Sequence, residues 1–242
     1  MEPGVYREMV ESQRTNWWFV VRRRFLHSWV SIRGAVPRDG RILEVGAGTG
    51  ANLDTLRIFG RVTALEPNSF ACDYISRHFD VETVRATLPD GNGLRNFHLI
   101  VALDVLEHID DDLAALRAMH GMLRERGRVI LTVPAFQFLW SAHDERLHHK
   151  RRYRAAELVE RMEHAGFRIV HRSYFNFLLF PAAAAIRLLD RLVEGVGCAG
   201  NGNVHPLLNG LMAGVFGMEV FLSRFVRFPF GLSLVVVGSR PA

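Results

Sequence analysis

The sequence predicts an α/β protein in which a parallel sheet carries helices on both faces. From residue 41 onward, short apolar runs typical of buried strands alternate with segments of helical pattern. The first apolar run leads directly into the glycine-rich turn EVGAGTG and then a helical segment, an order typical of nucleotide-binding sheets. With 242 residues, of which 49% are hydrophobic, the chain is long enough for one large domain with its own core.

Seven apolar runs predict the strands. They are bounded by glycine, proline, asparagine or aspartate, as expected for short strands. They span residues 41–45, 61–66, 81–86, 97–104, 127–135, 167–175 and 232–240. Helices are expected between them at residues 51–59, 70–79, 112–126 and 153–165. The aspartates 110–112 supply an N-cap and first-turn acids for the third helix, which we expect to end at Gly127.

The predicted strands and helices divide the chain into four parts. Residues 1–38 form an N-terminal helical cap, 39–175 the core, 176–230 an apolar helical insertion, and 231–242 the final strand of the core. The insertion is about 55 residues long, far more than a connection between neighbouring strands needs. Its two apolar runs are separated by the linker VGCAGNGN, and neither reaches the roughly 18 residues free of proline and charge that a spanning helix requires.

Arginines lie inside the apolar surroundings of this insertion, at positions 187, 191, 224 and 227. An amphipathic cover that encloses a hydrophobic acceptor fits this pattern. A segment that dips into a membrane surface, with its arginines against lipid phosphates, fits it as well. A helical pair forming a homodimer interface is the third alternative. The sequence does not separate the three, but the first two both argue against a small, very polar acceptor.

Composition restricts the class of protein only in part. The net charge of +5 and the pI near 9.8 suit nucleic acid, anionic lipid or an acidic substrate equally. Cys72 and Cys198 lie far apart without a CxxC motif, which indicates neither a disulfide framework nor a cysteine zinc site. The first residues lack the uninterrupted apolar stretch of an export signal. We therefore expect a cytoplasmic protein, either free or peripheral on the inner face of the membrane.

The glycine-rich turn after the first strand predicts a nucleotide-type ligand. Gly46, Gly48 and Gly50 let the backbone turn tightly, and the following helix offers free N–H groups. Glu44 stands two residues before the first glycine, where a carboxylate repels a pyrophosphate but attracts the ammonium and sulfonium charges of S-adenosylmethionine. Glu66 closes the second strand 22 residues later, where it can accept from both hydroxyls of a ribose. These two acids favour S-adenosylmethionine over a dinucleotide.

These segments resemble the motifs of a known family, the class I S-adenosylmethionine-dependent methyltransferases of the type 11/12 group. LEVGAGTG resembles its first motif, ALEPN its ribose motif, ATLPD its adenine-contacting segment, LIVALDVLEHIDDD its motif after strand four, and GRVILTVPA its fifth strand. The match covers roughly residues 40–175 in the family's order. His98 departs from it, since an aspartate usually follows the phenylalanine there.

The resemblance implies a Rossmann-like seven-stranded sheet with an antiparallel last strand, and S-adenosylmethionine as cofactor, converted to S-adenosylhomocysteine. The resemblance also implies which residues bind this cofactor. Those expected to surround its methionine part, ribose and adenine and to close the pocket are Glu44, Gly46, Ala47, Gly48, Asn52, Glu66, Pro67, Thr87, Leu88, Asp104 and Val105.

For the reaction, we expect methyl transfer to an oxygen or nitrogen atom of a hydrophobic or lipid-linked small molecule. A nucleic-acid methyltransferase is one alternative, but the chain has no appended RNA-binding module, and after the fourth strand it reads LDVLEH instead of an Asn/Asp-Pro-Pro-Tyr-type motif. A protein that binds the cofactor without catalysis is a second alternative. The partners expected are the acceptor itself, a membrane surface or a second copy of the chain, and not nucleic acid.

The stretch LWSAHDERLHHKRRYR, residues 139–154, follows the fifth strand and should lie over the carboxyl edge of the sheet, on the acceptor side. A histidine with a near-neutral pKa is the usual base for a hydroxyl acceptor, and we name His143 first, together with Asp144 and His148. No recognised ligand spacing is present, so we expect no metal site. The basic residues 150–154 either hold an anionic acceptor or pair with nearby carboxylates of the same loop.

Further acceptor contacts are expected from residues near this edge and from the aromatic N-terminal segment. The WWF segment at residues 17–19 either caps the cofactor or docks a helix by its aromatic face, and the arginines 22–24 after it can be that helix's solvated side. The residues named for substrate binding are Trp18, His108, Trp140, His149, Arg152 and Tyr153.

Overall fold

A computed structural model of the protein describes the backbone of residues 3–192 and 205–242 and the side chains of residues 6–187 and 205–242. The predicted linker VGCAGNGN, with Cys198, lies outside the described residues, and so does the side chain of Arg191.

A seven-stranded sheet forms the centre of the described part of the chain. Its strands are β1 (Arg41–Val45), β2 (Arg61–Leu65), β3 (Glu82–Val84), β4 (Phe97–Leu103), β5 (Leu123–Pro134), β6 (Arg168–Phe175) and β7 (Ser233–Ser239). They lie in the order β3-β2-β1-β4-β5-β7-β6, and β7 runs opposite to the other six strands. The predicted mostly parallel sheet with an antiparallel last strand is confirmed.

The strand order reverses direction between β1 and β4. Chain order runs outward from β1 through β2 to β3 on one side, and from β4 to β5 on the other. The loops after β1 and β4 therefore diverge, and they leave a crevice at the carboxyl edge of the sheet. The glycine-rich turn and the LDVLEH segment both lie at this crevice.

Nine described helices surround the sheet. They are α1 (Pro3–Ser12), α2 (Trp17–Trp29), α3 (Leu53–Arg57), α4 (Ser69–His78), α5 (Asp112–Met122), α6 (Ala142–Arg146), α7 (Ala155–His164), α8 (Phe180–Leu192) and α9 (Pro206–Leu222). Polar caps begin several of them. The Asn16, Asn68 and Asp111 side chains accept hydrogen bonds from the first turns of α2, α4 and α5.

The predicted end of the third core helix is wrong. The expected helix ran to Arg126, whereas α5 ends at Met122 and β5 begins at Leu123, which pairs with Phe97 of β4. The side chain of Leu123 is buried in the core. Helical periodicity is a local property of the sequence. It therefore gives no sign that Leu123 pairs with a strand residue 26 positions earlier in the chain.

The two faces of the sheet are covered by different helices. Leu116 of α5 and Leu158 of α7 pack on one face. Phe25 of α2, Leu56 of α3 and Phe216 of α9 pack on the other. The N-terminal cap and the insertion therefore share one side of the sheet, although they are far apart in sequence.

An aromatic cluster joins the cap to the insertion. The Trp18 ring stacks on Phe216 at 5.7 Å between ring centroids, and Phe25 lies 5.0 Å from Phe216 and 5.4 Å from Phe175. Asn209 of α9 adds two hydrogen bonds, because its side chain accepts from the Trp17 N–H and donates to the Thr15 carbonyl. Of the two interpretations of the WWF segment, these contacts are those of a helix docked by its aromatic face.

The described helices of the insertion are α8 and α9. None of the helices in the described ranges is both long and apolar enough to cross a membrane.

We predict that Phe216→Ala lowers the free energy of unfolding by about 3–5 kcal/mol, because the ring is fully buried at the centre of the aromatic cluster. Denaturant unfolding measures the change. Phe221→Ala on the same helix is the control, since Phe221 is 59% exposed, and it should cost far less. Equal losses from the two variants would show that α9 does not pack on α2.

Candidate functional site

The glycine-rich turn passes closely beneath the loop that follows β4. Gly46 has a φ of 66°, in the left-handed region, and an added Cβ would lie 2.5 Å from a methyl carbon of Val105. The N–H groups of Gly46 and Ala47 both donate to the Leu65 carbonyl at the end of β2. The turn after β1 is thereby held to the end of β2 and lies against Val105, so only glycine fits at position 46.

Glu44, at the carboxyl end of β1, is almost fully buried. Its Oε1 accepts from the Asn52 amide at 2.8 Å, while its Oε2 has no hydrogen-bond partner among the described residues. Burial raises the pKa of Glu44 to about 7, and the hydrogen bond from Asn52 partly opposes this. A buried carboxylate oxygen without a partner is suited to a cationic ligand.

Glu66, at the end of β2, gathers three donors. The Gly48 N–H donates to its Oε2 at 2.9 Å, and the Asn68 N–H and the Tyr6 hydroxyl donate to its Oε1 at 3.0 and 3.2 Å. Burial and the charge of Glu66 raise the pKa of Tyr6 above its usual value. Helix α1 therefore covers the predicted ribose-binding acid.

A second contact from the N-terminal segment reaches the glycine-rich turn. The Thr49 hydroxyl donates to the Gln13 side chain at 2.8 Å. Sequence reasoning missed Tyr6 and Gln13, because an isolated tyrosine or glutamine in a polar helix carries no signal of its long-range partner. Only the assignment of residues 1–38 to a cap pointed to them.

Asp104 ends β4 with a φ of +56°, an unusual backbone conformation for a residue other than glycine. Its Oδ1 accepts from the Thr132 hydroxyl at 3.1 Å, and its Oδ2 lies 3.3 Å from the guanidinium of Arg22. Arg22 also donates to the Leu103 carbonyl. The arginines after the WWF segment were expected on a solvated side, whereas Arg22 points into the crevice.

The remaining predicted cofactor residues lie around the same crevice. Pro67 and Thr87 are exposed, and the half-buried Leu88 packs against the core beside α5. The Gly91 N–H donates to the Thr87 carbonyl and closes the turn that carries both residues.

The acceptor-side loop is built around a buried ion pair. Asp144 on α6 is fully buried, and both of its oxygens accept from the Arg152 guanidinium, at 2.8 and 2.9 Å. The same carboxylate contacts His149 Nδ1 at 2.8 Å and accepts from the Ser141 N–H at 2.9 Å. These hydrogen bonds hold the pKa of Asp144 below its usual value despite its burial.

This arrangement gives the predicted catalytic residues different surroundings. The Asp144 carboxylate forms its hydrogen bonds with Arg152 and His149. Burial, followed by the charge of Arg187, lowers the pKa of the half-buried His143 to about 4. His148 is exposed, with a φ of +56°.

Two of the predicted substrate residues are structural. Arg152 is buried and also donates to the Ala135 carbonyl at the end of β5. Tyr153 is fully buried, its hydroxyl donates to Asp112 at 2.8 Å, and burial raises its pKa. Both side chains therefore anchor the loop through buried hydrogen bonds.

The other predicted substrate residues are divided between two places. His108 and His149 lie side by side with ring centroids 4.8 Å apart, and burial, followed by the neighbouring His149, lowers the pKa of His108 to about 4. Trp140 donates to Glu145 on the loop surface. Trp18 lies in the aromatic cluster between α2 and α9.

Comparison with known proteins identifies the family. A family model described as a methyltransferase domain matches residues 21–172, which is more than half of the chain. The chain belongs to this methyltransferase family, and it is an S-adenosylmethionine-dependent methyltransferase. Among curated proteins, none matches the sequence.

Solved structures share the fold at low sequence identity. An S-adenosylmethionine-dependent methyltransferase from Clostridium acetobutylicum has a TM-score of 0.61 at 12% identity, covering 99% of this chain and 97% of that one. One from Archaeoglobus fulgidus has a TM-score of 0.56 at 13% identity, covering 90% and 94%. The [4+2]-cyclase SpnF has a TM-score of 0.58 at 18% identity, covering 90% and 81%. The fold thus does not define the acceptor.

The residues present fit the cofactor. The unpartnered Oε2 of Glu44 meets the need for a counter-charge to an ammonium or sulfonium, and the turn at Gly46 and Gly48 brings backbone close to the ligand.

We predict that the affinity for S-adenosylmethionine falls as the pH decreases below about 7. Glu44 has a pKa of about 7 in the free protein, and a positively charged ligand favours its ionised form, so binding below this pH must release a proton. The fall approaches tenfold per pH unit. Isothermal titration between pH 5.5 and 7.5 measures it, and Glu44→Gln should remove the dependence. A flat wild-type profile would contradict this role.

We also predict that Asp144→Ala lowers the free energy of unfolding by about 3–5 kcal/mol, because it leaves the buried Arg152 guanidinium without its partner. Asp110→Ala is the matched control. Asp110 pairs with Lys150 on the same loop but is 82% exposed, so its loss should cost under about 1 kcal/mol. Thermal and urea unfolding provide the measurement, and similar losses from both variants would argue against the anchoring role.

Proposed function

We propose that the protein transfers the methyl group of S-adenosylmethionine to an oxygen or nitrogen atom of a hydrophobic or lipid-linked small molecule. The observation that carries this proposal is the apolar surface of the insertion. Most of the large exposed apolar side chains in the described ranges belong to it, namely Ile186, Leu207, Leu208, Leu211, Met218, Phe221, Phe225, Val226 and Phe230. Apolar surface of this extent on a protein marks an interaction site.

An aromatic path links this surface to the acceptor-side edge of the sheet. Phe230 contacts Phe180 of α8 at 5.2 Å between ring centroids, and Phe180 contacts Phe136 at 6.0 Å. Phe136 follows the carboxyl end of β5 and also contacts Phe138, which is 45% exposed. A hydrophobic acceptor that enters along these rings would reach the segment that follows the carboxyl end of β5.

The charges beside the apolar surface favour a membrane as the source of the acceptor. Arg224 and Arg227 flank Phe225 and Val226, and all four are exposed. Apolar side chains bordered by arginines suit the interface of an anionic bilayer. We therefore infer that the face formed by α9 and the segment after it rests on a membrane surface.

The basic acceptor-side loop gives no support to a nucleic-acid acceptor. Lys150 pairs with Asp110, Arg151 with Asp112, and Arg152 with Asp144. These cations are neutralised within the protein, whereas phosphate binding requires free positive charge.

For the cofactor, we assign the methionine part to Glu44, Gly46, Gly48 and Asn52, the ribose to Glu66 and Pro67, the adenine to Thr87 and Leu88, and the closing contacts to Ala47, Asp104 and Val105. The bound cofactor supplies an electrophilic methyl group on a sulfonium, with a neutral thioether as leaving group. Since Tyr6 donates to Glu66, we expect α1 to release this bond when the ribose hydroxyls take its place.

For the acceptor, positioning and the exclusion of water supply much of the rate of an in-line displacement. We propose His143 as the group that accepts a proton where one must leave. A pKa of about 4 keeps its imidazole neutral at pH 7, and so able to accept, although weakly basic. The sequence predicted a base with a near-neutral pKa, so His143 is a weaker base than expected, and it would take the proton only as the attacking oxygen becomes acidic in bonding to the methyl group.

The test is incubation with methyl-labelled S-adenosylmethionine and two fractions of a cell extract: its lipids reformed as vesicles, and its aqueous metabolites. We expect label in the organic-soluble product. Phe225→Ser combined with Val226→Ser should reduce labelling several-fold and leave S-adenosylhomocysteine binding unchanged. Ile58→Ser is the control, because Ile58 is 68% exposed but lies on α3's C-terminal side, away from the insertion. Label confined to the aqueous fraction would overturn the proposal.

A further inference from the structure

Three potential metal ligands converge beside the acceptor-side loop. Glu107 and His108 follow β4, and His149 comes from the loop after α6. One carboxylate oxygen of Glu107 and one ring nitrogen from each histidine lie within 4.8 Å of one another. In a tetrahedral site with bonds of about 2.0–2.2 Å the ligand atoms lie about 3.3–3.6 Å apart, so binding an ion would draw these three atoms together by up to about 1.5 Å through rotation of their side chains.

Glu107 is the group that calls for a cation. Its side chain is fully buried, and neither carboxylate oxygen accepts a hydrogen bond from another described residue. The nearest guanidinium groups are engaged elsewhere, because Arg22 pairs with Asp104 and Arg152 with Asp144. A buried carboxylate left in this state is costly, and buried charges in proteins are paired or coordinate metal ions.

His149 has the outer contact typical of a metal ligand. Its Nδ1 lies 2.8 Å from Asp144 Oδ1, and Asp144 is held in the ionised state by Arg152. A carboxylate at Nδ1 fixes the proton on that nitrogen, so Nε2 carries the free lone pair. Such carboxylate–histidine pairs orient histidine ligands in metalloproteins.

The loops that carry the three residues are joined before any ion binds. The Lys150 N–H donates to the Glu107 carbonyl at 2.8 Å, and Lys150 and Arg151 pair with Asp110 and Asp112 on the segment after β4. His149 is therefore held beside His108 by neighbouring backbone and ion pairs.

We propose that Glu107, His108 and His149 bind a divalent transition-metal ion. Two imidazole nitrogens and one carboxylate oxygen suit Zn²⁺, Mn²⁺, Fe²⁺ or Co²⁺ better than Mg²⁺ or Ca²⁺, which prefer oxygen ligands. Three protein ligands leave positions open for water or for an acceptor oxygen. The sequence spacing alone indicated no metal, because the third ligand lies 41 residues after the second. The site does not depend on which acceptor is methylated.

The first measurement is metal content and affinity on the full chain, stripped with a chelator and titrated with Mn²⁺ or Zn²⁺. We expect one ion per chain. His149→Ala and Glu107→Gln should each weaken binding by more than the roughly 10–100-fold that loss of an outer partner costs. His148→Ala and Glu145→Gln are the controls, because both residues are exposed neighbours outside the cluster, and they should leave binding unchanged.

Binding of S-adenosylhomocysteine by the same samples shows that each variant is folded and separates this proposal from the methyltransferase function. A wild-type chain that binds S-adenosylhomocysteine and takes up no ion would overturn the metal site alone. Equal affinity for the metal ion in the wild type and in both ligand variants would show that the ion binds elsewhere, and it would also overturn the proposed site. If a variant fails to fold, electron spin-echo spectroscopy of Cu²⁺ bound to the wild-type chain replaces it. Modulation from imidazole nitrogens is the expected result, and its absence would overturn the site.

Discussion

The acceptor side of the site depends on one buried interaction, the ion pair between Asp144 and Arg152. Asp144 has no access to water, and it satisfies Arg152, His149 and the backbone of Ser141 at the same time. Arg152 in turn reaches the carbonyl at the end of β5. Removing either charge would leave the other unpaired in a dry environment, so the loop has one stable arrangement. That arrangement sets His149 against His108 and Glu107.

The cofactor side depends on long-range contacts of a different kind. Helix α2 packs its aromatic face on α9 and sends Arg22 to the end of β4, while α1 places Tyr6 on Glu66. The N-terminal cap thus contacts both the insertion and the cofactor crevice. Packed side chains of α2 thus lie between the insertion and the cofactor crevice.

Much of the core could be predicted because its signals are local. A buried strand, a glycine-rich turn and a capped helix can each be recognised from a few consecutive residues. Glu44 and Glu66 lie at the ends of strands whose positions follow from their apolar runs. The end of α5 was misplaced because Leu123 joins β5 through a partner in β4. Arg152 and Tyr153 were expected to face the acceptor, but the choice between facing a ligand and facing Asp144 or Asp112 is made by packing.

The sequence by itself determined the order of the strands and the class of cofactor, and it predicted the edge of the sheet where the site lies, since these follow from periodicity, glycine positions and charge. Only the tertiary structure decided which side chains meet. It brought Tyr6 to Glu66, paired Asp144 with Arg152, and placed His149 beside Glu107. The physical reason is that these contacts join residues distant along the chain, and their geometry depends on the docking of whole elements.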